Sequence, residues 1–341
     1  MKKFIALLLA LVMVLALVAC AAKTETAAPA ASDGKYTFAI VPKSAGNPYM
    51  ERMVSGFEEA CKAIGAECIA LYPEDVSVEA QITVINNLIA QNVNAIGVAA
   101  NDAEALESTL KTARDKGIVI VTMDSDTAGS QMFINQAGVT EVAQVLVDSC
   151  YDMCGGEGQF AVLSASSTAT NQNAWIAAME EVIKADEKYS KLEWVATVYG
   201  DDEAQKSYAE TESLMTNYPD LKVICCPTTV GILACAQAVQ AAGSDIKVAG
   251  LGLPSEMNGY VGEGLPCPYM YLWNPIDVGA CAVYVIQSFL DGKTTGAIGE
   301  SFTAGNGTTY EVMEGAPSAQ IIVGPPFAFT ADNIADWATV Y

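Results

Sequence analysis

Residues 158–179 read GQFAVLSASSTATNQNAWIAAM. The segment starts with an uninterrupted apolar run, Phe160-Ala161-Val162-Leu163, which is the signature of a strand buried on both faces. It passes through a loop dense in hydroxyls and amides, with no charge, and then enters a helical stripe carrying Trp175 and Met179. Strand, polar loop and helix in about twenty residues make one half of a βαβ unit. Its position in the chain decides the fold, because an earlier series of the same units has just ended.

That earlier series runs from YTFAIVP (36–42) to QMFIN (131–135). Met50, Met53, Val54, Phe57, Cys61 and Ile64 follow helical spacing and stop at Gly65. GAECIALY reads as a strand, Val78, Ile82, Ile85 and Ile89 stripe a helix, and NAIGVAA is a strand. Asp102 is placed to cap a helix that ends at Lys116-Gly117. IVIVTMD and QMFIN are strands, and a helix follows over 140–153. From Gly158 the rhythm restarts, with a helix over 170–186, a strand at LEWVATVY, a helix over 203–217, and strands at LKVICCP, IKVAGLG and YMYLW. A helix over 275–290 closes this second series, and Asn306-Gly307 between alternating residues marks a hairpin. Strands alternating with helices predict parallel sheets covered on both faces. Two series predict an α/β chain of two Rossmann-like lobes.

The first residues stand apart. Lys2 and Lys3 precede sixteen apolar residues, Phe4 to Ala19, and the run ends in Leu17-Val18-Ala19-Cys20. This is the pattern of an export signal with a lipidation site at Cys20; the run is short for a membrane span. The expected division is a signal over 1–19, a lipidated tether over 20–35, a first lobe over 36–136 plus 274–296, and a second over 137–273 plus 297–341. The expected place is the outer face of the cytoplasmic membrane or the periplasm, held by lipid alone.

Composition excludes whole classes of partner. From Cys20 onward the chain keeps 15 of the 17 Lys+Arg against all 40 Asp+Glu, a net charge of −25. Arg52 and Arg114 are the only arginines. Nucleic acid needs many cationic phosphate contacts, and phosphorylated ligands favour arginine forks, so a neutral polar ligand fits best. The sequence has no histidine, which removes the commonest general base and metal ligand; no cofactor or metal is expected. Nine cysteines follow Cys20, an odd number mostly on apolar stripes, and they read as buried free thiols. Cys150 and Cys154 form the one pair at i,i+4 spacing.

In doubly wound sheets ligands sit beyond the carboxyl ends of the strands. There the sequence places Lys43, Asn47, Asp124, Asn171, Gln172, Trp175, Pro227, Thr229, Pro254, Trp273 and Asn274. Amides and carboxylates can donate to and accept from a polyol, and the tryptophans can cover an apolar ring face. Asn47 can equally shape a turn, Trp175 can be core, and Asp102, Asp202 and Ser255 read as helix caps. Lys43 and Asp124 end buried strands of the same lobe, where a charge needs a ligand or a partner; a plain ion pair between them is the alternative. No G-x-S-x-G or G-x-x-x-x-G-K-[ST] occurs, and no enzyme is expected.

The segments VPKSAGNPYM, VNAIGVAAND, TMDSDT, INQAG, TNQNAW, VYGDDEAQKS, PTTVGILACAQA, GLGLPSEMNGY and LWNPIDVG occur in this order. Together they resemble the type I periplasmic sugar-binding proteins of ABC transporters, in the rhamnose-binding and autoinducer-2-binding branch. The resemblance implies a two-lobe clamp joined by three crossovers, acting as a monomer with membrane permease subunits. In the autoinducer-2 receptors it implies ligand contacts at Lys43, Asp124, the Asn171-Gln172 pair and the Pro227-Thr228-Thr229 stretch. Asn171 departs from their carboxylate and Thr229 from their alanine. Asn-Gln-Asn with Pro-Thr-Thr-Val-Gly looks instead like the rhamnose-binding members. The expectation is an importer component for a neutral, rhamnose-like monosaccharide; the alternatives are an autoinducer-2 receptor and a sugar sensor for a membrane receptor.

Overall fold

The computed structural model describes residues 35–341; the expected signal, Cys20 and nearly all of the tether lie outside the described residues. Strands β1 (Thr37–Val41), β2 (Glu67–Ala70), β3 (Ala95–Val98), β4 (Val119–Met123) and β5 (Met132–Asn135) form a parallel sheet. The sheet order is β13-β5-β4-β3-β1-β2, and its outer strand β13 is Gln320–Ile322 from near the end of the chain. Every residue of β3 and β4 is buried, as the continuous apolar runs require of strands covered on both sides. One face is covered by the helices Val78–Ala90 and Glu107–Asp115, whose Ile85, Leu88 and Leu110 pack on Ile96 and Ile120. The other carries the helices Pro48–Ile64 and Pro275–Leu290. These two approach so closely that a Cβ at Gly279 would lie 1.9 Å from the Met53 carbonyl oxygen, and one at Gly56 would lie 2.0 Å from that of Ile276.

The second sheet holds β6 (Gly158–Ser164), β7 (Leu192–Tyr199), β8 (Leu221–Cys226) and β9 (Lys247–Gly250) in the order β7-β6-β8-β9, again all parallel. A bridge from Leu251 to Tyr271 extends it to β10 (Met270–Leu272), which pairs antiparallel with β14 (Phe327–Phe329). The helices Val139–Cys154, Thr170–Ala185, Ala204–Asn217 and Thr229–Ala242 cover it. The chain passes between the sheets after β5, after β10 and between β13 and β14. The α/β architecture of two lobes with flanking helices is therefore the one expected.

Some expectations are corrected. The segment 297–341 does not belong wholly to the second lobe: Gln320, Ile321 and Ile322 pair in parallel with Phe133, Ile134 and Asn135 of the first. Asn135 Nδ2 also donates to Gln320 Oε1 at 2.8 Å. The helix after Asp102 starts only at Glu107, because the Asp102 carboxylate caps a preceding turn by accepting from the Glu104 and Ala105 N–H groups. Ser255 lies inside the short helix Pro254–Met257, whose N-cap is Leu253, and makes no cap. The hairpin stands as expected, with β11 (Ser301–Thr303) against β12 (Thr309–Glu311) and Gly307 at φ +84° between them. All nine cysteines of the described residues are free thiols, and every one but the half-buried Cys68 is buried.

Candidate functional site

Lys43 follows β1 and is held by its backbone. Its carbonyl accepts from Asn101 Nδ2 at 2.9 Å, and the fully buried Gln81 ties the same region together. Gln81 Nε2 donates to the carbonyls of Pro42 and Ala99, while its Oε1 accepts from the Asn101 N–H. Gln81 thus locks the loops after β1 and β3; in sequence it was hidden among the apolar positions of its helix.

Asp124 follows β4 in the left-handed region, at φ +62°, which an aspartate tolerates better than most residues. Gln136 Nε2 fixes it from the first crossover by donating to its carbonyl at 3.0 Å. The Lys43 ammonium lies 2.9 Å from Asp124 Oδ2, with the two side chains 11% and 5% exposed. The ion pair foreseen as an alternative therefore exists. It is not isolated, because the second lobe contributes Asn171 at the start of the helix Thr170–Ala185. Lys43 Nζ donates to Asn171 Oδ1 at 3.5 Å, and Asn171 Nδ2 donates to Asp124 Oδ2 at 3.4 Å. Both contacts are long and weak beside the ion pair.

The hydroxyl-rich loop before Asn171 divides its work. Ser164 Oγ and the Ala165 N–H both donate to Gln172 Oε1, at 2.8 and 2.7 Å, which fastens the end of β6 to the helix. Asn173 Nδ2 braces the loop through the Ser167 carbonyl. Ser166 and Thr168 lie farther out, 3.2 Å apart.

Aromatic side chains make one wall. Trp175 is buried and packs 5.6 Å from Trp273, whose Nε1 donates to the Tyr49 hydroxyl at 2.7 Å. Burial, and then the charge of Asp124, push the Tyr49 phenol well above its ordinary pKa, so it stays protonated. Asp202 completes the opposite side. It is not the expected helix cap: it sits at φ +53° and accepts from Thr228 Oγ1 at 2.6 Å. Burial raises its carboxyl pKa, with Asp124 and Asp201 adding to the rise; the Thr228 bond and the Lys43 charge oppose it.

These groups surround a cavity of ≈ 40 Å³ between the lobes. Of the residues foreseen, Lys43, Asn47, Asp124, Asn171, Gln172, Trp175, Pro227, Thr229 and Trp273 line it. Asn47 also caps its helix by accepting from the Tyr49 and Met50 N–H groups. Pro254 and Asn274 do not line it, and both are corrections. Pro254 opens the short helix Pro254–Met257, and Asn274 Oδ1 accepts from the Ile276 N–H as a helix cap. Thr228, within the Pro227-Thr228-Thr229 stretch, lines it too, whereas Tyr49, Met50, Asp202, Leu251 and Leu272 were not among the residues foreseen. Tyr49 and Asp202 were detectable in principle, since each adjoins a polar strand end; Leu251 and Leu272 gave no signal distinct from core. Among the described residues no group of three or more His, Cys, Asp or Glu could hold a metal ion, and no helix is long and apolar enough to cross a membrane.

Chemically the cavity combines two carboxylates, one ammonium and several amides with an aromatic wall. The single cation is already balanced, so an anionic guest would meet repulsion. A neutral, hydroxyl-rich molecule with an apolar face matches both the donors and acceptors and the rings.

Residues 38–294 match a family model described as a periplasmic binding protein domain. A solved ABC transporter solute-binding protein from Clostridium phytofermentas, with bound L-rhamnose, is 46% identical, has a TM-score of 0.87, and is covered over 99% of its length by 90% of this chain. LsrB from Clostridium saccharobutylicum, in complex with AI-2, is 25% identical with a TM-score of 0.81, covering 88% of this chain and 99% of its own. The ribose import binding protein RbsB of Bacillus subtilis is 24% identical over 254 residues, which is 73% of this chain and 81% of that protein.

Proposed function

The chain belongs to the periplasmic binding protein domain family, a family of extracytoplasmic substrate-binding proteins and not of enzymes, and on that premise we propose that it captures a neutral monosaccharide of the L-rhamnose type for an ABC importer. The observation that carries this reading is the contact of Lys43 and Asp124, from one lobe, with Asn171 from the other. A guest seated there touches both jaws at once. The sugar-bound relative at 46% identity supports the choice of a deoxyhexose.

The closed cavity has room for a few waters and not for a pyranose ring. Entry therefore requires the lobes to part, and capture is their closing on the guest. Sugar hydroxyls replace the two long Asn171 contacts while the short Lys43–Asp124 pair persists. The ring's apolar face lies against Trp175 and Trp273. Each hydrogen bond to a charged group contributes about 1.5–3 kcal/mol, and a handful of them, less ordering costs, gives micromolar affinity, about −8 kcal/mol. The protein then presents the closed form to permease subunits, as a monomer tethered by lipid at Cys20. More than one acyl chain is needed for a lasting anchor.

Calorimetric titration with L-rhamnose, and mass spectrometry of the small molecule released on denaturing protein from its native host, test the reading. Release of a charged compound, or no heat with any neutral sugar, would sink it. Autoinducer-2 is the second reading, favoured by Lys43, Asp124, Gln172 and Pro227 on the cavity wall. The amide of Asn171 in place of a carboxylate and the added bulk of Thr229 weigh against it.

A further inference from the structure

Outside the cavity lies a second chamber, of ≈ 150 Å³, with walls from both lobes. Lys43 and Asp202 face both spaces and form the partition. Its other polar lining comes from Asn101, Ser166, Thr168 and Asp201. No hydroxyl of the loop lines the inner cavity, and Ser166 and Thr168 line the outer chamber instead. They bond only each other among the described residues, so each oxygen keeps hydrogen-bonding capacity. Asn101 spends its amide nitrogen on the Lys43 carbonyl and leaves its Oδ1 open. No uncommitted cation faces the chamber: Lys43 is paired with Asp124, and Asp201 is paired with Lys206. An anionic guest is thereby disfavoured, and a neutral hydroxylated one suits the donors and acceptors. Val76, 49% exposed, adds an apolar surface for one face of that guest.

We propose that this outer chamber is a subsite for a second neutral sugar residue joined by a glycosidic bond, so that the protein captures a disaccharide whose terminal deoxyhexose fills the inner cavity. The proposal rests on the sugar reading of that cavity. The linkage passes the Lys43–Asp202 partition, where both side chains can reach the bridging and neighbouring oxygens. The inner cavity, widened where the lobes part, takes the terminal residue, and the roomier outer one accepts its partner through the loop hydroxyls.

The test titrates the whole protein with L-rhamnose and with rutinose, a disaccharide of L-rhamnose on D-glucose, and repeats both with Thr168→Phe and Ser166→Val. Thr168 lies on the exposed loop, so the larger ring fills the chamber without entering the core. The expected result is tighter binding of the disaccharide, by about tenfold or more. Thr168→Phe removes that gain and leaves L-rhamnose affinity unchanged, and Ser166→Val does so in part. Rutinose binding no tighter than L-rhamnose, or variants that weaken both sugars alike, would overturn the subsite and leave the inner reading standing. Binding of neither sugar overturns both.

Discussion

The Lys43 ammonium donates to Asn171 Oδ1 across 3.5 Å, although the two residues stand 128 positions apart and belong to different lobes. The same ammonium lies 2.9 Å from Asp124 Oδ2 within its own lobe. One short pair within the first lobe and two longer contacts to the second set the pattern: the pair balances the charge on the first lobe's side of the cavity, while the contacts between the lobes, at 3.4 and 3.5 Å, are weak. Five expectations follow from this and from the packing behind it.

Asp124→Asn keeps a side chain that tolerates the left-handed backbone at φ +62° but removes the charge. It leaves Lys43 buried without its counterion, which costs about 3–5 kcal/mol. The melting temperature without sugar should fall, and stabilisation by L-rhamnose should vanish. Adding Lys43→Met should recover part of the stability and none of the binding. Differential scanning calorimetry reads both; an unchanged sugar-induced shift would remove Asp124 from the site.

Asn171→Asp sets a second carboxylate beside Asp124, at a position now 3.4 Å from it. Like charges so close raise the affinity of the pair for a proton. L-rhamnose binding at neutral pH should weaken by about tenfold or more and recover as the pH is lowered, by more than the parent protein changes over the same range. Parallel profiles for the two proteins would contradict the arrangement.

Trp273 and Trp175 face the cavity, whereas Trp194 lies on the edge strand β7 with its Nε1 bonded to the Ala196 carbonyl. Sugar binding should change tryptophan emission. Trp273→Phe should remove most of that change and also weaken binding, since the Tyr49 hydroxyl loses its donor. Trp194→Phe should leave the response intact. A response carried by Trp194 would place the guest elsewhere.

Asp126 is buried and accepts from Thr122 Oγ1, the Thr127 N–H, and both the N–H and Oγ of Ser318. Burial nevertheless outweighs these bonds and raises its carboxyl pKa. The folded protein therefore binds this proton more tightly than the unfolded chain. Its contribution to stability should grow as pH falls through the raised pKa toward the ordinary carboxylate range, and fade as pH rises. Asp126→Asn should lack this term, so the parent's melting temperature should rise relative to the variant's from neutral toward about pH 4. A parent melting temperature that falls relative to the variant's on acidification would refute the account.

Gly279→Ala drives a methyl group into the Met53 carbonyl where the helices Pro48–Ile64 and Pro275–Leu290 meet. The expected cost is about 1–3 kcal/mol of overpacking, measured by urea titration. Gly243→Ala, at a C-cap with no neighbour within 4 Å but φ +60°, should cost less, by backbone strain alone. Equal costs would show that the helix contact is looser than described.

Much of the cavity lining was legible because ligands of doubly wound sheets collect at strand ends, and Lys43, Asp124, Asn171 and Gln172 are polar residues at such ends. Asn274 and Pro254 met the same criterion and are a helix cap and a helix start. The criterion does not say which way a side chain turns. Asp202 shows the converse: in sequence an aspartate before a helix resembles a cap, and only its φ of +53° and its bond to Thr228 turn it toward the cavity.

The sequence by itself determined the layered architecture and the number of lobes, because parallel strands buried on both faces need unbroken apolar runs and their covering helices need a regular stripe. Those are local patterns, readable one element at a time. Only the tertiary structure decided that Gln320–Ile322 return to the first sheet, that Asn171 meets Lys43 and Asp124, and that the polar segment 164–173 lines two chambers. Each of these joins groups distant along the chain, and their meeting depends on how the lobes pack, which no short stretch of residues encodes.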